Sequence, residues 1–342
     1  MNVRVTRVEY PLEIQPSSHV ITCGSDQTLL DCCIQAGIPA PYNCRSGECG
    51  ECKAALLSGE VYEMPGADPA IFNDTHRSAG ELLLCMCFPR SPVVVDVPLK
   101  AQETTIKPTT INTMVERVER VTPSILQVCV ETPGPATYRA GQCFEWVLPG
   151  IKPNRIYSAA NRPGSDRIEF HVRIYPGGKV GEFITQHLTP GQSLELVGPF
   201  GQFGLSPSDW RPAICVAGGT GLAPVQAILD EAFAHGDGRP IQFFYGARCR
   251  DELYGLQTLE DWGRANPTFR FTPVLSDEPE GSGWNGRRGL VTDVVAQELS
   301  DAFGLEAYVC GPAAMIDAAV QVLEAAGLSS ADIHADRFVQ AR

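Results

Sequence analysis

The run Cys44-Arg-Ser-Gly-Glu-Cys49-Gly-Glu-Cys52 constrains this chain more than any other stretch. Its C-x4-C-x2-C spacing, completed by a distant fourth cysteine, is that of a 2Fe–2S cluster. Four thiolates must converge on a small sulfide-bridged pair of irons, so the loop has to turn tightly. Gly47 and Gly50 allow that turn and can aim backbone N–H groups at sulfur. A structural zinc site prefers two short C-x2-C-type pairs, and only one such pair is present. The fourth thiolate must come from Cys85 or Cys87 in Leu-Leu-Leu-Cys85-Met-Cys87.

The whole chain has 13 cysteines in 342 residues. No apolar run approaches the ~18 residues that cross a bilayer, and residues 1–20 carry Arg4, Arg7, Glu9 and Glu13 without the apolar run of a leader. The expectation is a cytoplasmic protein that does not enter a membrane. Reducing compartments disfavour structural disulfides, so Cys23, Cys32, Cys33, Cys129, Cys143, Cys215 and Cys249 read as small core residues. An apolar fraction of 44% excludes wholesale disorder. The formal charge of −13 argues against a nucleic-acid partner. It is uneven: residues 1–98 carry −6, residues 99–206 carry +2 and residues 207–342 carry −9.

The hydropathy pattern changes twice, which gives three domains. Residues 1–98 alternate short strands (3–10, 19–23, 93–97) with one helix at 28–36, around the cysteine loop. Residues 99–110 are polar and aperiodic, the signature of a linker. Residues 111–206 hold strands at 115–121, 125–132, 143–148 and 167–172 and one helix at 180–188, the pattern of an antiparallel barrel. Residues 207–342 alternate strands (213–216, 241–245, 269–275, 307–309) with helices (223–234, 252–265, 291–299, 313–326), which predicts an α/β domain with a parallel sheet.

Each of the later domains carries its own motifs. In the second, Arg155-Ile-Tyr157-Ser158 precedes His171-Val172-Arg173 and Pro176-Gly177-Gly178-Lys179-Val180-Gly181, and Val197-Gly-Pro-Phe-Gly201 ends the segment. In the third, Ala217-Gly218-Gly219-Thr220-Gly221-Leu-Ala-Pro224 lies between a strand and a helix, where glycines admit a pyrophosphate and a helix N-terminus favours its charge. It is not the dehydrogenase fingerprint G-x-G-x-x-G. Tyr245-Gly-Ala-Arg248, Cys310-Gly311-Pro312-Ala-Ala-Met315 and His334-Ala-Asp-Arg-Phe338 follow.

These motifs resemble, in order, plant-type ferredoxins and the ferredoxin–NADP reductase superfamily. The first resemblance implies a β-grasp α+β domain and favours Cys85 as the fourth ligand, after Cys44, Cys49 and Cys52, because the last ligand there follows an apolar run ending in Leu. The second implies FAD held by Arg155 at the pyrophosphate, Tyr157 along the isoalloxazine and Ser158 near flavin N5. It adds His171, Val172 and Arg173 and the turn from Gly177 to Gly181 to the cofactor set. Gly181 departs from the family, which places Ser or Thr there. For the coenzyme, NADH or NADPH, the resemblance implies Gly218, Gly219, Thr220, Gly221, Arg248, Gly311, Pro312 and Met315. It puts Cys310 beside the nicotinamide C4 and Phe338 against one flavin face, and makes Cys310, Ser158 and Tyr157 the catalytic set.

Hydride donors release two electrons together and an iron–sulfur cluster accepts one, so the flavin must lie between them. The order of the three domains over essentially the whole chain resembles the reductase component of bacterial aromatic-ring-hydroxylating dioxygenases and related multicomponent monooxygenases. The implied activity is NAD(P)H oxidation with single electrons passed to a terminal oxygenase, directly or through a separate ferredoxin, by a monomer. Reductases of deoxysugar biosynthesis and of di-iron monooxygenases share the layout. A non-catalytic iron–sulfur redox sensor is the alternative from another class, and the intact flavin and nicotinamide motifs argue against it. The six histidines form no C-x-H pair for a Rieske centre.

Overall fold

A computed structural model describes residues 7–99, 106–152, 154–206 and 209–338. The chain divides into two compact units, Met1–Pro108 and Thr109–Arg342.

In the first unit, β1 (Glu9–Gln15) and β2 (His19–Gly24) form a hairpin, and α1 (Leu29–Ala36) follows. Next come β3 (Lys53–Ser58), β4 (Val61–Glu63), α2 (Asp74–Ser78), β5 (Glu81–Leu83), β6 (Cys87–Pro89) and β7 (Val93–Asp96). The main sheet has the order β2-β1-β7-β3-β5, with β1 and β7 parallel and the other pairs antiparallel. Leu29, Leu30 and Cys33 of α1 are buried on it. Thr28 caps the helix through its hydroxyl, which accepts from Asp31 N at 3.0 Å. Gly37, at φ 74°, ends it in the left-handed conformation that releases the chain toward the cysteine loop. The expected strand at 3–10 lies partly outside the described residues, and the observed β1 runs on to Gln15 because Leu12 and Ile14 alternate into the core.

One expectation about this unit is corrected. Cys23 and Cys32, read as separate core residues, form a disulfide joining β2 to α1. Both are buried, so they fill the core as well. The fold brings strand end and helix start together across a nine-residue separation that carries no spacing signature.

The second unit opens with β8 (Thr109–Thr122). This strand starts inside the stretch read as a linker, of which residues 100–105 lie outside the described residues. Then come β9 (Ile125–Glu131), β10 (Cys143–Val147), β11 (Arg155–Ser158), β12 (Arg167–Arg173), α3 (Lys179–His187) and β13 (Ser193–Phe200). All neighbours in the order β11-β10-β13-β8-β9-β12 are antiparallel, and a bridge between Ala159 and Phe170 closes the barrel. The alternation along β12 sets up the site. Ile168, Phe170 and Val172 enter the barrel core, so Glu169, His171 and Arg173 project from its outer wall.

The rest of the unit is β14 (Ala213–Gly218), α4 (Leu222–Ala234), β15 (Ile241–Ala247), α5 (Leu256–Ala265), β16 (Phe269–Leu275), β17 (Arg287–Arg288), α6 (Val291–Glu298), β18 (Glu306–Pro312), α7 (Ala313–Ala325) and β19 (Ile333–Phe338). The sheet is parallel throughout, in the order β17-β16-β15-β14-β18-β19. Succession runs outward from β14 to β17 and resumes on the other side at β18. The switch point, where α/β sheets bind ligands beyond their carboxyl ends, falls between β14 and β18. Among the described residues, no helix is long and apolar enough to cross a membrane.

Candidate functional site

The cysteine loop follows α1 and is tied back to it by Arg45, whose guanidinium meets Asp31 at 3.0 Å. Gly47 and Gly50 have φ of +80° and +77°, a conformation side chains disfavour. They are also hemmed in: a Cβ on Gly47 would fall 2.9 Å from Met86 Sδ, and one on Gly50 would fall 2.8 Å from Ile71 Cγ2. The turn aims the backbone N–H of Ser46 and of Glu48 at Cys44 Sγ, at 3.4 and 3.3 Å.

The thiols come as two pairs, Cys44 with Cys49 and Cys52 with Cys85, each within hydrogen-bonding distance. Contact with Cys49 and the two N–H donors pull the Cys44 thiol down to about 5, whereas its partner Cys49 is pushed up. Contact with Cys52 and burial push Cys85 up. Two pairs suit two irons with two thiolates each. Among the described residues, no three His, Cys, Asp or Glu side chains are placed to hold one metal ion. Cys87 is buried two residues further on, at the start of β6, where Glu63 is its register partner.

In the second unit, barrel and parallel sheet meet along a seam where Ser158 bonds Asp336, His171 bonds Tyr254 and Arg173 lies against Gly219. Arg155, Tyr157 and Ser158 lie on β11, and the Tyr157 ring sits 4.7 Å from that of Trp146. Gly177, at φ +70°, and Gly178 lead into α3, whose first-turn amides have no side-chain cap. Lys179 and Val180 begin that helix. Gly181 explains its own departure from Ser or Thr: a Cβ there would fall 2.6 Å from Ile174 Cγ2, so this chain has filled the space from the other side.

Two expected cofactor residues have other employment. His171 is buried, and its ring nitrogens meet Tyr254 Oη at 3.0 Å and Glu169 Oε1 and Gln127 Nε2 at 3.2 Å. Neither nitrogen is left for a cofactor. The Val172 side chain is inside the barrel.

At the switch point the two glycine turns interlock. A Cβ on Gly218 would fall 2.6 Å from Met315 Sδ, and one on Gly221 would collide with the carbonyl oxygen of Cys310. Gly311, at φ +148°, packs against Gly218 and Met315 in turn. Thr220 is buried between them, and α4 starts at Gly221 without a side-chain cap, leaving its amides open to an anion. Arg248 stands exposed after β15, with no ion-pair partner among the described residues. Phe338 closes β19 opposite Pro312, and residues 339–342 lie outside the described residues.

Two of the three catalytic candidates, Ser158 and Cys310, meet around a carboxylate that the sequence did not single out, while Tyr157 stays beside Trp146. Asp336 of β19 is the register partner of Cys310 on β18. Its Oδ2 accepts from Ser158 Oγ at 3.2 Å and from Cys310 Sγ at 3.8 Å. All three are buried. Burial, and then Asp336, push the Cys310 thiol well up, so it is a neutral thiol here. The signal that could have found Asp336 was its place in the motif ending at Phe338, one strand over from Cys310.

A barrel and a parallel sheet that meet beside glycine turns, with an iron–sulfur-type cysteine loop on a separate unit, define a flavin- and nicotinamide-dependent electron-transfer protein. Family models agree: residues 12–90 match the 2Fe-2S iron-sulfur cluster binding domain, 112–204 the oxidoreductase FAD-binding domain and 215–321 the oxidoreductase NAD-binding domain. The chain is 33% identical over 338 residues to the reductase component of phenol 2-monooxygenase from Pseudomonas sp. (strain CF600), covering 98% of this chain and 96% of that one. It is 32% identical over 327 residues to the reductase component of the naphthalene 1,2-dioxygenase system of Pseudomonas putida, covering 96% and 98%. Among solved structures, the Amycolatopsis cytochrome P450 reductase GcoB superposes with a TM-score of 0.85 at 31% identity, over 96% of this chain and 98% of that one. The chain belongs to the family of reductase components of multicomponent oxygenases, NAD(P)H oxidoreductases that move electrons through FAD and a 2Fe–2S centre.

Proposed function

We propose that Cys44, Cys49, Cys52 and Cys85 hold the 2Fe–2S cluster, and that the crevice of the second unit holds FAD and the nicotinamide of NAD(P)H on either side of Ser158, Asp336 and Cys310. The meeting of those three residues, with Ser158 and Asp336 lying 178 positions apart, carries this reading. Bound FAD supplies the conversion between two-electron hydride chemistry and one-electron transfer.

The protein's own residues provide the setting. Arg155 and the open amides of α3 offer positive charge to the flavin pyrophosphate, and Tyr157 offers a ring face. Asp336 fixes the Ser158 hydroxyl and the Cys310 thiol on one carboxylate, so neither is free to turn, and Cys310 remains protonated. The turn Gly218–Gly221 receives the coenzyme pyrophosphate, with the nicotinamide toward β18 and the adenosine toward Arg248 at the end of β15.

The acceptor is the oxygenase component of a system acting on phenols or hydrocarbons, reached directly or through a ferredoxin. The charge of −6 on residues 1–98 suits a basic docking face on that partner. We place this system in the cytoplasm and the reductase in it as a monomer.

The test compares two acceptors. Purified holoprotein should oxidise NADH or NADPH and reduce both ferricyanide and cytochrome c. Cys85→Ser should keep ferricyanide reduction and lose cytochrome c reduction and oxygenase support. Undiminished oxygenase support by the cluster-free variant would sink the serial path, and no NAD(P)H oxidation by flavin-loaded wild type would sink the enzyme reading.

A further inference from the structure

The seam between barrel and parallel sheet contains a buried carboxylate outside the electron path. Glu252 lies in the turn after β15 and is 7% exposed. Its Oε2 accepts from Ser124 Oγ at 2.7 Å and from Arg173 Nη2 at 3.2 Å. Both donors belong to one corner of the barrel. Ser124 is in the turn between β8 and β9, Arg173 ends β12, and Ile174 N donates to Ser124 O at 2.7 Å. A carboxylate from one domain is therefore anchored to a corner of the other.

The cation of this pair also faces the coenzyme turn. A Cβ on Gly219 would fall 3.0 Å from Arg173 Nη2, so the guanidinium lies directly against the first residue of the Gly219–Gly221 turn. Gly219 has φ +58°, and its lack of a side chain leaves room for the guanidinium. The two partners differ in exposure: the Arg173 side chain retains 30% and that of Glu252 9%. The carboxylate is the enclosed member, and the cation is the one that reaches solvent. A guanidinium has five N–H donors in a planar fork, and among the described residues Glu252 engages one of its nitrogens. The uncapped start of α4 lies at the same turn.

We propose that Glu252, supported by Ser124, is a positioning residue that holds the Arg173 guanidinium beside the glycine turn, where it meets the pyrophosphate of the nicotinamide coenzyme. This reassigns Arg173 from the flavin side to the coenzyme side of the crevice, and it rests on the coenzyme placement proposed above. A long cation that is already ordered loses little freedom when the anion arrives. The arrangement serves coenzyme binding more than the hydride step, because the pyrophosphate is remote from the reacting carbon.

The test uses holoprotein, ferricyanide as acceptor, whichever of NADH and NADPH the wild type oxidises, and ADP-ribose as a competitive inhibitor that keeps the pyrophosphate and lacks nicotinamide. Glu252→Gln retains shape and removes the charge. It should raise KM and the ADP-ribose inhibition constant together by about tenfold, with kcat and FAD content within about twofold of wild type. Arg173→Ala should do the same, and the double variant should be no worse than Arg173→Ala alone, because Glu252 acts through Arg173. If Glu252→Gln does not retain flavin, Ser124→Ala carries the test, with about a threefold rise in both constants.

Unchanged constants in a flavin-loaded variant would overturn the proposal. So would a fall in kcat without a change in KM, or effects that add in the double variant, since each describes a seam that is only structural. These outcomes are read against active wild type, so they leave the electron path itself standing.

Discussion

The cysteine loop and the flavin–nicotinamide crevice are built in opposite ways. Three of the four proposed iron ligands come from nine consecutive residues, and the fourth follows a short strand in the same unit. The crevice instead unites Ser158 of the barrel with Cys310 and Asp336 of the parallel sheet. A site folded from one loop depends on local turn chemistry. A site made where two domains meet depends on register and on the seam that fixes those domains together. Damage to the first should therefore be all-or-none and confined to the cluster, whereas damage to the second should be graded.

The largest contrast is expected at the loop. Cys85→Ser should abolish the visible absorbance of the cluster while flavin absorbance persists, and Cys87→Ser should leave both. The reverse result would move the fourth ligand to Cys87 and break the pairing of Cys52 with Cys85.

At the crevice, Asp336→Asn retains size but removes the charge shared by Ser158 and Cys310. Hydride transfer followed by stopped-flow bleaching of the flavin should slow by about a hundredfold, the scale of loss from misplaced reacting groups. Cluster absorbance should not change. A normal rate would remove Asp336 from the catalytic set.

Gly181→Ser sharpens the comparison at lower amplitude. Restoring the hydroxyl-bearing residue of the wider family should weaken FAD retention and lower thermal stability, because its Cβ meets Ile174. Overpacking of this kind costs about 1–3 kcal/mol. The double change Ile174→Ala with Gly181→Ser should recover flavin binding, and failure to do so would refute the filled-space explanation.

The smallest effect concerns pH. Burial pushes the thiols of Cys33 and Cys215 up to about 12. These groups hold their protons in the folded chain at pH values where the unfolded chain has lost them. Their contribution is complete below the unfolded value of 9.0 and is lost as pH rises from there toward 12. At pH 10 each should cost about 1–2 kcal/mol relative to pH 8. Denaturant midpoints at the two pH values measure this, and Cys215→Ala should flatten the dependence.

Legibility followed the same division between the two regions. Cys44, Cys49 and Cys52 were readable because an iron–sulfur loop needs fixed spacing and glycines at fixed places. The alternation of strands and helices after residue 207 was readable because each element repeats its own period. Gly181 was visible as a departure, but its cause lay in Ile174, a contact that only packing reveals. His171 looked like a cofactor residue by its place beside Val172 and Arg173, yet the outer wall of β12 turns it onto Tyr254. Glu252 is a single carboxylate in a chain with 40 acidic residues, and nothing local marks it, whereas Asp336 stood inside the motif ending at Phe338 and gains its role only through register with Cys310. The Cys23–Cys32 bridge was hidden because its two ends belong to a strand and a helix whose juxtaposition is tertiary.

The interlocked turns at Gly218, Gly221 and Gly311 have a consequence for anyone redesigning this reductase. A side chain added at Gly221 would meet the Cys310 carbonyl, and one at Gly311 would meet the Gly218 main chain, so this pinch resists alteration by substitution. The exposed Arg248 at the far end of the same sheet edge is under no such restriction. Engineering of coenzyme preference should begin there, with a library confined to the loop after β15, and leave the glycine pinch untouched.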